Sequence, residues 1–301
     1  MSKAVLDING LSKNYGKTRA LHKLDLSVEK GQIFGLLGPN GSGKTTTLGI
    51  VMGAINKSSG DFSWFGQRNQ TKARLRIGSI LEQPSFYHYL SAEDNLKVVC
   101  AIKKASNKRI DKVLERVDLL HRKKDPFKTY SLGMKQRLAI ASALISDPEV
   151  MILDEPTNGL DPQGIAEMRD LIMELADEKR TIILASHLLD EVQKICSHFA
   201  VLRSGKKIFQ GSVKDLDSEN ILVEIRSENS PALAAALSES EHIEKYSSHI
   251  DVFEVQLRES ASVDDLHKFL ISKGIVLNLL RPQPNKLEKK FLEVLKEGKD
   301  A

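Results

Sequence analysis

The chain has 301 residues, of which 41% are hydrophobic and 28% charged, which is typical of a globular protein with one large domain or a large and a small one. Its net charge of +4 is too small to indicate nucleic-acid binding by itself, and two distant cysteines, Cys100 and Cys196, indicate a reduced, cytosolic chain rather than a metal site. The chain opens on no signal-peptide pattern and has no apolar run of the ~18 residues that span a bilayer, so we expect another chain to supply any membrane part.

The first predicted elements are strands. The segments KAVLDINGLSKNYG and LHKLDLSVEKG alternate apolar and polar residues between glycine turns, which is typical of half-buried strands. The nearly continuous apolar run QIFGLLG predicts a strand covered on both faces. A helix should begin at about Lys44, and short strands should follow at GDFSWFG and RIGSILEQ. Tyr15 offers a flat face on which adenine could stack, and a core tyrosine is the alternative interpretation.

From residue 91 to about 148 the apolar residues recur every three or four positions, which is typical of amphipathic helices. One helical face should carry Ile110, Val113, Leu114, Val117 and Leu120. The segments EVMILDEP and TIILASH then predict two buried strands with a helix between them. After these, AVLRSGKKIFQG predicts a hairpin that turns at Ser204 and Gly205.

The pattern changes after residue 218. Strands are predicted at ILVEIRS, DVFEVQL and GIVLNLL, and helices at SPALAAALS, SVDDLHKFLISK and NKLEKKFLEVLKE. The predicted order is strand, helix, strand pair, helix, strand, helix, which suggests a small α+β domain, compatible with a ferredoxin-like arrangement. We therefore expect a first domain at residues 1–218, with a helical subdomain at about 84–148, and a second domain at 219–301.

A phosphate-binding loop is the strongest motif. The segment GPNGSGKTT has the form G-x-x-x-x-G-K-[ST] and lies between a predicted strand and a predicted helix, which is the context that this motif requires. Its glycines let successive N–H groups face one anion, the helix N-terminus adds positive charge, and the lysine and first threonine should reach the phosphates and Mg²⁺. The candidate nucleotide-binding residues are Gly38, Pro39, Asn40, Gly41, Ser42, Gly43, Lys44, Thr45 and Thr46.

Polar residues at the ends of other strands complete the predicted site. Asp154 and Glu155 follow a buried strand, and ligands lie at the carboxyl ends of strands in parallel sheets. Asp154 suits Mg²⁺, and Glu155 suits the activation of an attacking water. His187 should position that water, and the amide of Gln83 could contact Mg²⁺ or the water. Each of these residues taken alone would more often be structural or solvated.

Taken in order, GPNGSGKTT, Gln83, YSLGMKQR, VMILDEP, GLD and His187 resemble the ATP-binding subunit of an ABC transporter, over about residues 3–218. YSLGMKQR stands where that family has its signature, usually LSGGQ. Ser131 and Gly133 match the signature, whereas Leu132 and Met134 replace its first glycine and its glutamine. The resemblance implies an α/β fold: a P-loop NTPase core with an antiparallel β subdomain and a helical insertion, followed by the small α+β domain.

In this family the signature contacts the γ-phosphate of ATP held by the opposite subunit. The resemblance therefore implies a homodimer, or a dimer with a paralogous ATPase, in which Ser131 and Gly133 close the site formed by Lys44 of the other copy, with Asp161 along the interface. It also implies ATP and Mg²⁺ as cofactors, no nucleic acid, and a separate integral membrane permease on whose cytoplasmic face the protein is peripheral. LEQPSFYHYLSAEDNL and the C-terminal extension resemble the drug-resistance and bacitracin-export branch.

Two other functions compete with transport. A soluble ABC-type ATPase acting on DNA or ribosomes would usually carry paired ATPase domains, long coiled coils or zinc cysteines, and this sequence has one phosphate loop and no cysteine cluster. A P-loop kinase for a small molecule would share the loop but would not need YSLGMKQR.

Overall fold

A computed structural model of the chain describes residues 4–67, 70–81, 85–214, 222–249, 251–258 and 260–283. The chain divides into two compact units, Met1–Gly211 and Ser212–Ala301. The predicted domain boundary at residue 218, Gln83 and the predicted helix at NKLEKKFLEVLKE lie outside the described residues.

The first unit contains two sheets and a set of helices. Its strands are β1 Ala4–Tyr15, β2 Thr18–Glu29, β3 Ile33–Leu37, β4 Ser59–Trp64, β5 Ile77–Ile80, β6 Val150–Asp154, β7 Thr181–Ser186, β8 His198–Arg203 and β9 Lys206–Ser212. Its helices are α1 Lys44–Val51, α2 Gln70–Arg74, α3 Ala92–Lys103, α4 Ile110–Arg116, α5 Leu132–Leu144, α6 Pro162–Asp177 and α7 Leu189–Ile195. The mixture of parallel and antiparallel sheets confirms the predicted α/β class.

The larger sheet places several strand ends side by side. Its strand order is β5-β6-β7-β3-β8-β9, and the pairs β5-β6, β6-β7, β7-β3 and β3-β8 are parallel. Strands β6 and β7 are buried at every position, as their continuous apolar sequences predict. Because β6, β7 and β3 are adjacent, the loops that follow them meet at one edge of the sheet.

The smaller sheet is antiparallel and has the order β2-β1-β4. Alternate side chains of these strands join the apolar side of the larger sheet and α1 in one core that includes Leu6, Leu24, Leu36, Leu48 and Trp64. The buried indole of Trp64 donates a hydrogen bond to the Val51 carbonyl at 2.8 Å, so its polar atom is satisfied inside the core.

The helical insertion contains α3, α4 and α5, joined by short 3₁₀ turns. The prediction of one long face from Ile110 to Leu120 is wrong in length, because α4 ends at Arg116. Asp118 takes a left-handed backbone conformation with φ 55°, which an α-helix cannot continue through. Val117 is still buried beyond the helix end.

The second unit has the order of a split β-α-β fold. Its elements are β10 Leu222–Arg226, α8 Ser230–Glu239, β11 Ile243–His249, β12 Val252–Leu257, α9 Val263–Ser272 and β13 Leu279–Pro282. The strand order is β11-β12-β10-β13 with every neighbouring pair antiparallel, which confirms the ferredoxin-like expectation. A separate core includes Val223, Leu233, Phe253, Val255 and Leu266. Within the described ranges of the whole chain, no helix has both the length and the apolar character to cross a bilayer.

Candidate functional site

The predicted phosphate-binding loop connects β3 to α1. Gly41 and Gly43 have φ values of 77° and 104°, which are open to glycine and strained for other residues. A Cβ at Gly38 would lie 2.3 Å from the Leu202 carbonyl oxygen, so this position also requires glycine. This loop conformation leads directly into α1. The first N–H groups of α1 have no partner within the helix and therefore favour an anion.

Lys44 lies within this loop and is only 5% exposed. Its ammonium donates to the carbonyl oxygens of Gly38 at 2.7 Å and Pro39 at 3.3 Å. The same nitrogen lies 3.3 Å from Oε1 of Glu155, which follows β6. The structure thus brings the predicted cation and the predicted carboxylate to one place, because β3 and β6 lie on either side of β7 in the same parallel sheet.

Glu155 also contacts His187, which follows β7. Oε2 of Glu155 lies 2.8 Å from Nδ1 of His187, whose side chain is 36% exposed. The backbone of Glu155 is left-handed, with φ 51°, and its N–H donates to the Ala185 carbonyl at 3.0 Å. A strained non-glycine backbone of this kind persists only where the surroundings hold it, and it often marks a functional position.

Other predicted residues of the loop surround this group. Asp154 ends β6 and is 3% exposed, so a carboxylate lies buried next to Glu155. Thr45 and Thr46 are half-buried in the first turn of α1. The Ser42 hydroxyl is buried and has no hydrogen-bond partner among the described residues, so it is available to a bound phosphate. The N–H donors and Lys44 thus suit a phosphate group, and the nearby carboxylate suits a divalent cation bound to that phosphate.

Ser131 and Asp161 lie in a second place, at the starts of two helices. Ser131 caps α5 and accepts a hydrogen bond from the Met134 N–H at 3.3 Å, and Asp161 caps α6 and accepts from the Gly164 N–H at 2.9 Å. Both residues and Gly133 line a cleft of about 640 Å³. Among the described residues, those of the phosphate-binding loop do not line this cleft. The predicted site residues therefore form two groups, one around Lys44 and one around Ser131.

Leu132 lies at the position where the resemblance leads us to expect a glycine. Its side chain is 44% exposed, and its Cδ2 atom is 3.0 Å from the place that a Cβ of Gly159 would occupy. Gly159 itself has φ 80°. The leucine therefore packs over a glycine of the neighbouring loop and leaves the Ser131 cap intact.

Tyr15 ends β1 and is 48% exposed, so the core interpretation is wrong and its ring is accessible. The ammonium of Lys13 lies 4.7 Å from the ring centroid, in a cation–π contact. An exposed aromatic face beside a cation is compatible with stacking on a base.

Glu191 in α7 was missed by the sequence analysis. Its carboxylate is buried and accepts hydrogen bonds from Thr157 and Ser186, which lie two positions after Glu155 and one position before His187. In sequence it is one of two acidic residues at the start of a helix, where acidic side chains are common and usually exposed. No pattern in the sequence distinguishes it from Asp190.

Comparisons with known proteins agree with this geometry. The family model described as "ABC transporter" matches residues 21–158. The lantibiotic transport ATP-binding protein SrtF of Streptococcus pyogenes is 42% identical over 218 residues, 72% of this chain and 94% of the relative. The bacitracin transport ATP-binding protein BcrA of Bacillus licheniformis is 36% identical over 300 residues, 98% of each chain.

A solved structure shares the fold of most of this chain. CbiO1 of Clostridium perfringens, described as part of the ABC transporter complex cbiONQ, matches with a TM-score of 0.64 and 32% identity. The match covers 72% of this chain and 92% of that one. These relatives are named for transport, which supports the transport interpretation and gives no support to the DNA or ribosome alternative.

Proposed function

The chain belongs to the ATP-binding proteins of ABC transporters, which are ATPases coupled to transport, and we propose that it hydrolyses ATP at a site centred on Lys44 and Glu155 to drive a separate permease. The observation that carries this proposal is the contact between Lys44, Glu155 and His187 at the ends of three adjacent strands. The site brings a phosphate-binding cation within 3.3 Å of a carboxylate that can act as a base.

In the proposed reaction, Lys44 and the N–H groups of residues 38–46 bind the β- and γ-phosphates of ATP. Glu155 accepts a proton from the attacking water, and His187 keeps that water in line with the phosphorus atom. Tyr15 stacks on the adenine. The 2.8 Å contact of His187 with Glu155 supports this division of roles, because one water molecule beside the pair can bind to both side chains.

We assign Mg²⁺ to the same site. The Thr45 hydroxyl and the buried carboxylate of Asp154 fit it, because Mg²⁺ in nucleotide sites uses few protein oxygens together with phosphate oxygens and water. Bound Mg²⁺ would neutralise charge on the phosphate oxygens during transfer. Gln83, also proposed for this role, lies outside the described residues.

The proposed assembly is a head-to-tail dimer of two copies, or of one copy with a paralogous ATPase. The cleft that Ser131, Gly133 and Asp161 line contains no phosphate-loop residue among those described, so it is suited to completing a site held by another copy. The start of α5 supplies N–H groups and partial positive charge for the γ-phosphate. Two such sites would form around one two-fold axis.

The permease is proposed to bind the helical insertion. A groove of about 510 Å³ between β5, α3 and α5 is lined by apolar residues that include Ile80, Phe86, Tyr87, Val98 and Ile102. Tyr87 is 52% and Ile102 is 72% exposed beside this groove, and contiguous exposed apolar surface of this kind supports a contact with a partner. This contact would hold the protein at the cytoplasmic face of the membrane.

The cargo is proposed to be a peptide-like compound that is exported. The support is the similarity to proteins named for lantibiotic and bacitracin transport. The second unit is assigned a regulatory or dimer-stabilising role, because it has a core of its own and BcrA aligns over 98% of the chain, this unit included.

The variant Glu155→Gln tests the catalytic assignment. Removing the base while keeping the side chain's size should lower phosphate release about 100-fold or more, and should leave ATP binding intact. ATP should then trap the dimer, which light scattering after gel filtration would detect as a doubled mass.

Glu174→Gln is the matched control, because Glu174 is an exposed carboxylate on α6. It should hydrolyse ATP at the wild-type rate. If Glu155→Gln is as active as this control, Glu155 is not the base that activates the attacking water.

A further inference from the structure

The feature of interest is the buried carboxylate of Glu191 in α7, which is 6% exposed. Its Oε1 accepts a hydrogen bond from the Thr157 hydroxyl at 2.5 Å, and its Oε2 accepts one from the Ser186 hydroxyl at 2.7 Å. Both hydroxyl residues are themselves buried, at 5% and 0% exposure. Within the described part of the chain, no cation forms an ion pair with this carboxylate.

A buried carboxylate without a cationic partner is costly, and two hydroxyl hydrogen bonds offset only part of the cost. A purely structural position between α7 and the sheet could be filled by an apolar side chain of similar size at no such cost. We therefore expect the role of the buried carboxylate to lie in the two hydroxyl groups that it binds.

Those two groups lie within two positions of the proposed catalytic residues along the chain. Thr157 lies two positions after Glu155, and Ser186 directly precedes His187. The Ser186 hydroxyl also accepts a hydrogen bond from the Leu188 N–H at 3.0 Å, so it is fixed on the far side of His187 as well. One carboxylate thus joins the loop after β6 to the end of β7.

The same region carries the strained backbone of Glu155, with φ 51°. Its N–H is bound to the Ala185 carbonyl of β7 at 3.0 Å. Two residues further along the loop, the side chain of Thr157 is held by its hydrogen bond to Glu191. Strain of this kind is retained only when several contacts determine it together.

We propose that Glu191 is a positioning residue for ATP hydrolysis: through Thr157 and Ser186 it fixes the spacing of Glu155 and His187, and thereby the place of the attacking water. It touches neither ATP nor the water and acts only through the two hydroxyls. This inference rests on the proposed function of Glu155 and His187. A small displacement of such groups slows the chemical step strongly, whereas ATP binding by residues 38–46 does not depend on it.

The experiment compares variants of the full-length protein by steady-state ATP hydrolysis. Thr157→Val keeps the shape of the side chain but loses the hydroxyl, and Thr157→Ser keeps the hydroxyl. We expect Thr157→Val and Glu191→Ala to lower kcat about tenfold while KM for ATP changes less than about threefold. Thr157→Ser and Glu191→Gln, which retain hydrogen-bonding groups at these positions, should stay within about threefold of the wild-type kcat.

Asp190→Asn is the matched control, because Asp190 is the neighbouring acidic residue, 73% exposed and paired with Lys194 on the surface. It should leave kcat unchanged. All variants are assayed below the unfolding temperature that circular dichroism gives for each. A lower unfolding temperature with wild-type kcat in Thr157→Val and Glu191→Ala would overturn the proposal, and if Glu191→Ala does not fold, Thr157→Val alone decides.

Glu155→Gln in the same assay separates the two proposals. If Glu155→Gln is inactive while Thr157→Val has wild-type kcat, only the positioning role of Glu191 fails. If Glu155→Gln is fully active, the proposed function of Glu155 fails first, and the positioning role fails with it.

Discussion

At the residue scale, the two cysteines are shielded by the packing around them. Cys196, at the end of α7, is 6% exposed, and burial together with the nearby charge of Glu191 raises the pKa of its thiol far above the usual range. Cys100 in α3 is 1% exposed, and burial raises its thiol pKa as well. The reactive species is the thiolate, whose fraction falls as the pKa rises.

We therefore expect both thiols of the native protein to react at pH 8 at least about 100-fold more slowly with a disulfide reagent such as DTNB than the unfolded chain does. The measurement is the absorbance of released thionitrobenzoate with and without guanidinium chloride. Cys100→Ser and Cys196→Ser assign the signal to one residue each. A thiol that reacts in the native protein as fast as free cysteine would contradict the burial described above.

The residues of the candidate site differ in how far the sequence predicts them. Lys44, Glu155 and His187 could be predicted, because each follows a recognisable apolar strand and carries a chemistry suited to phosphate transfer. Glu191 could not, because its sequence neighbourhood is that of any helix start. Its burial depends on the packing of α7 against the sheet, which no local pattern reports.

At the element scale, α9 begins with a complete capping box. The Ser262 hydroxyl accepts a hydrogen bond from the Asp265 N–H at 3.1 Å, and Asp265 Oδ2 accepts one from the Ser262 N–H at 3.0 Å. The hydrogen bond from the Ser262 side chain is also the largest cause that lowers the pKa of Asp265. Two helix-start donors are thereby satisfied without water.

Removing this cap should destabilise the second unit. Ser262→Ala is expected to lower its free energy of unfolding by about 1 kcal/mol, the usual cost of losing such a cap. Hydrogen exchange of the amides in α9 and β12 under native conditions measures this locally. Ser272→Ala, the same change at the other end of α9, is the control, and equal effects of the two variants would contradict the capping argument.

Elements with a clear apolar pattern could be predicted, whereas a short helix without such a pattern could not. The strands β3, β6 and β7 coincide with their apolar runs because both faces are covered. The five-residue helix α2 has no apolar period, and the prediction omitted it. The end of α4 is set by the left-handed backbone of Asp118. Aspartate tolerates this conformation but also occurs within helices, so the sequence does not predict where α4 ends.

At the scale of the whole molecule, the order of elements could be predicted but their pairing required the structure. The α/β class, the helical insertion and the β-α-β-β-α-β order of the second unit follow from the sequence pattern. The strand order β5-β6-β7-β3-β8-β9 does not, because strands far apart in the chain become neighbours through crossovers. The expectation that Ser131 lies opposite Lys44 of another copy comes from the resemblance to a known family.

The proposed head-to-tail dimer predicts how two inactive variants behave when they are mixed. Lys44→Ala should abolish phosphate binding, and Ser131→Arg should block the cleft at the start of α5, so each protein alone should be inactive. In a mixed dimer, one site combines an intact Lys44 with the intact Ser131 of the other copy. An equal mixture should therefore recover about a quarter of the wild-type ATPase rate, since about half of the dimers are mixed and each has one of two sites.

The measurement is phosphate release by the mixture against each variant at the same total concentration. A site built within one copy would give no recovery, because every copy in the mixture carries one defective group. Recovery would require that Lys44 and Ser131 act from different copies, as their separation into two groups of residues in this structure leads us to expect. Adding Glu155→Gln to the Ser131→Arg copy should abolish the recovery, whereas adding it to the Lys44→Ala copy should not, because the surviving site uses the Glu155 that lies beside the intact Lys44.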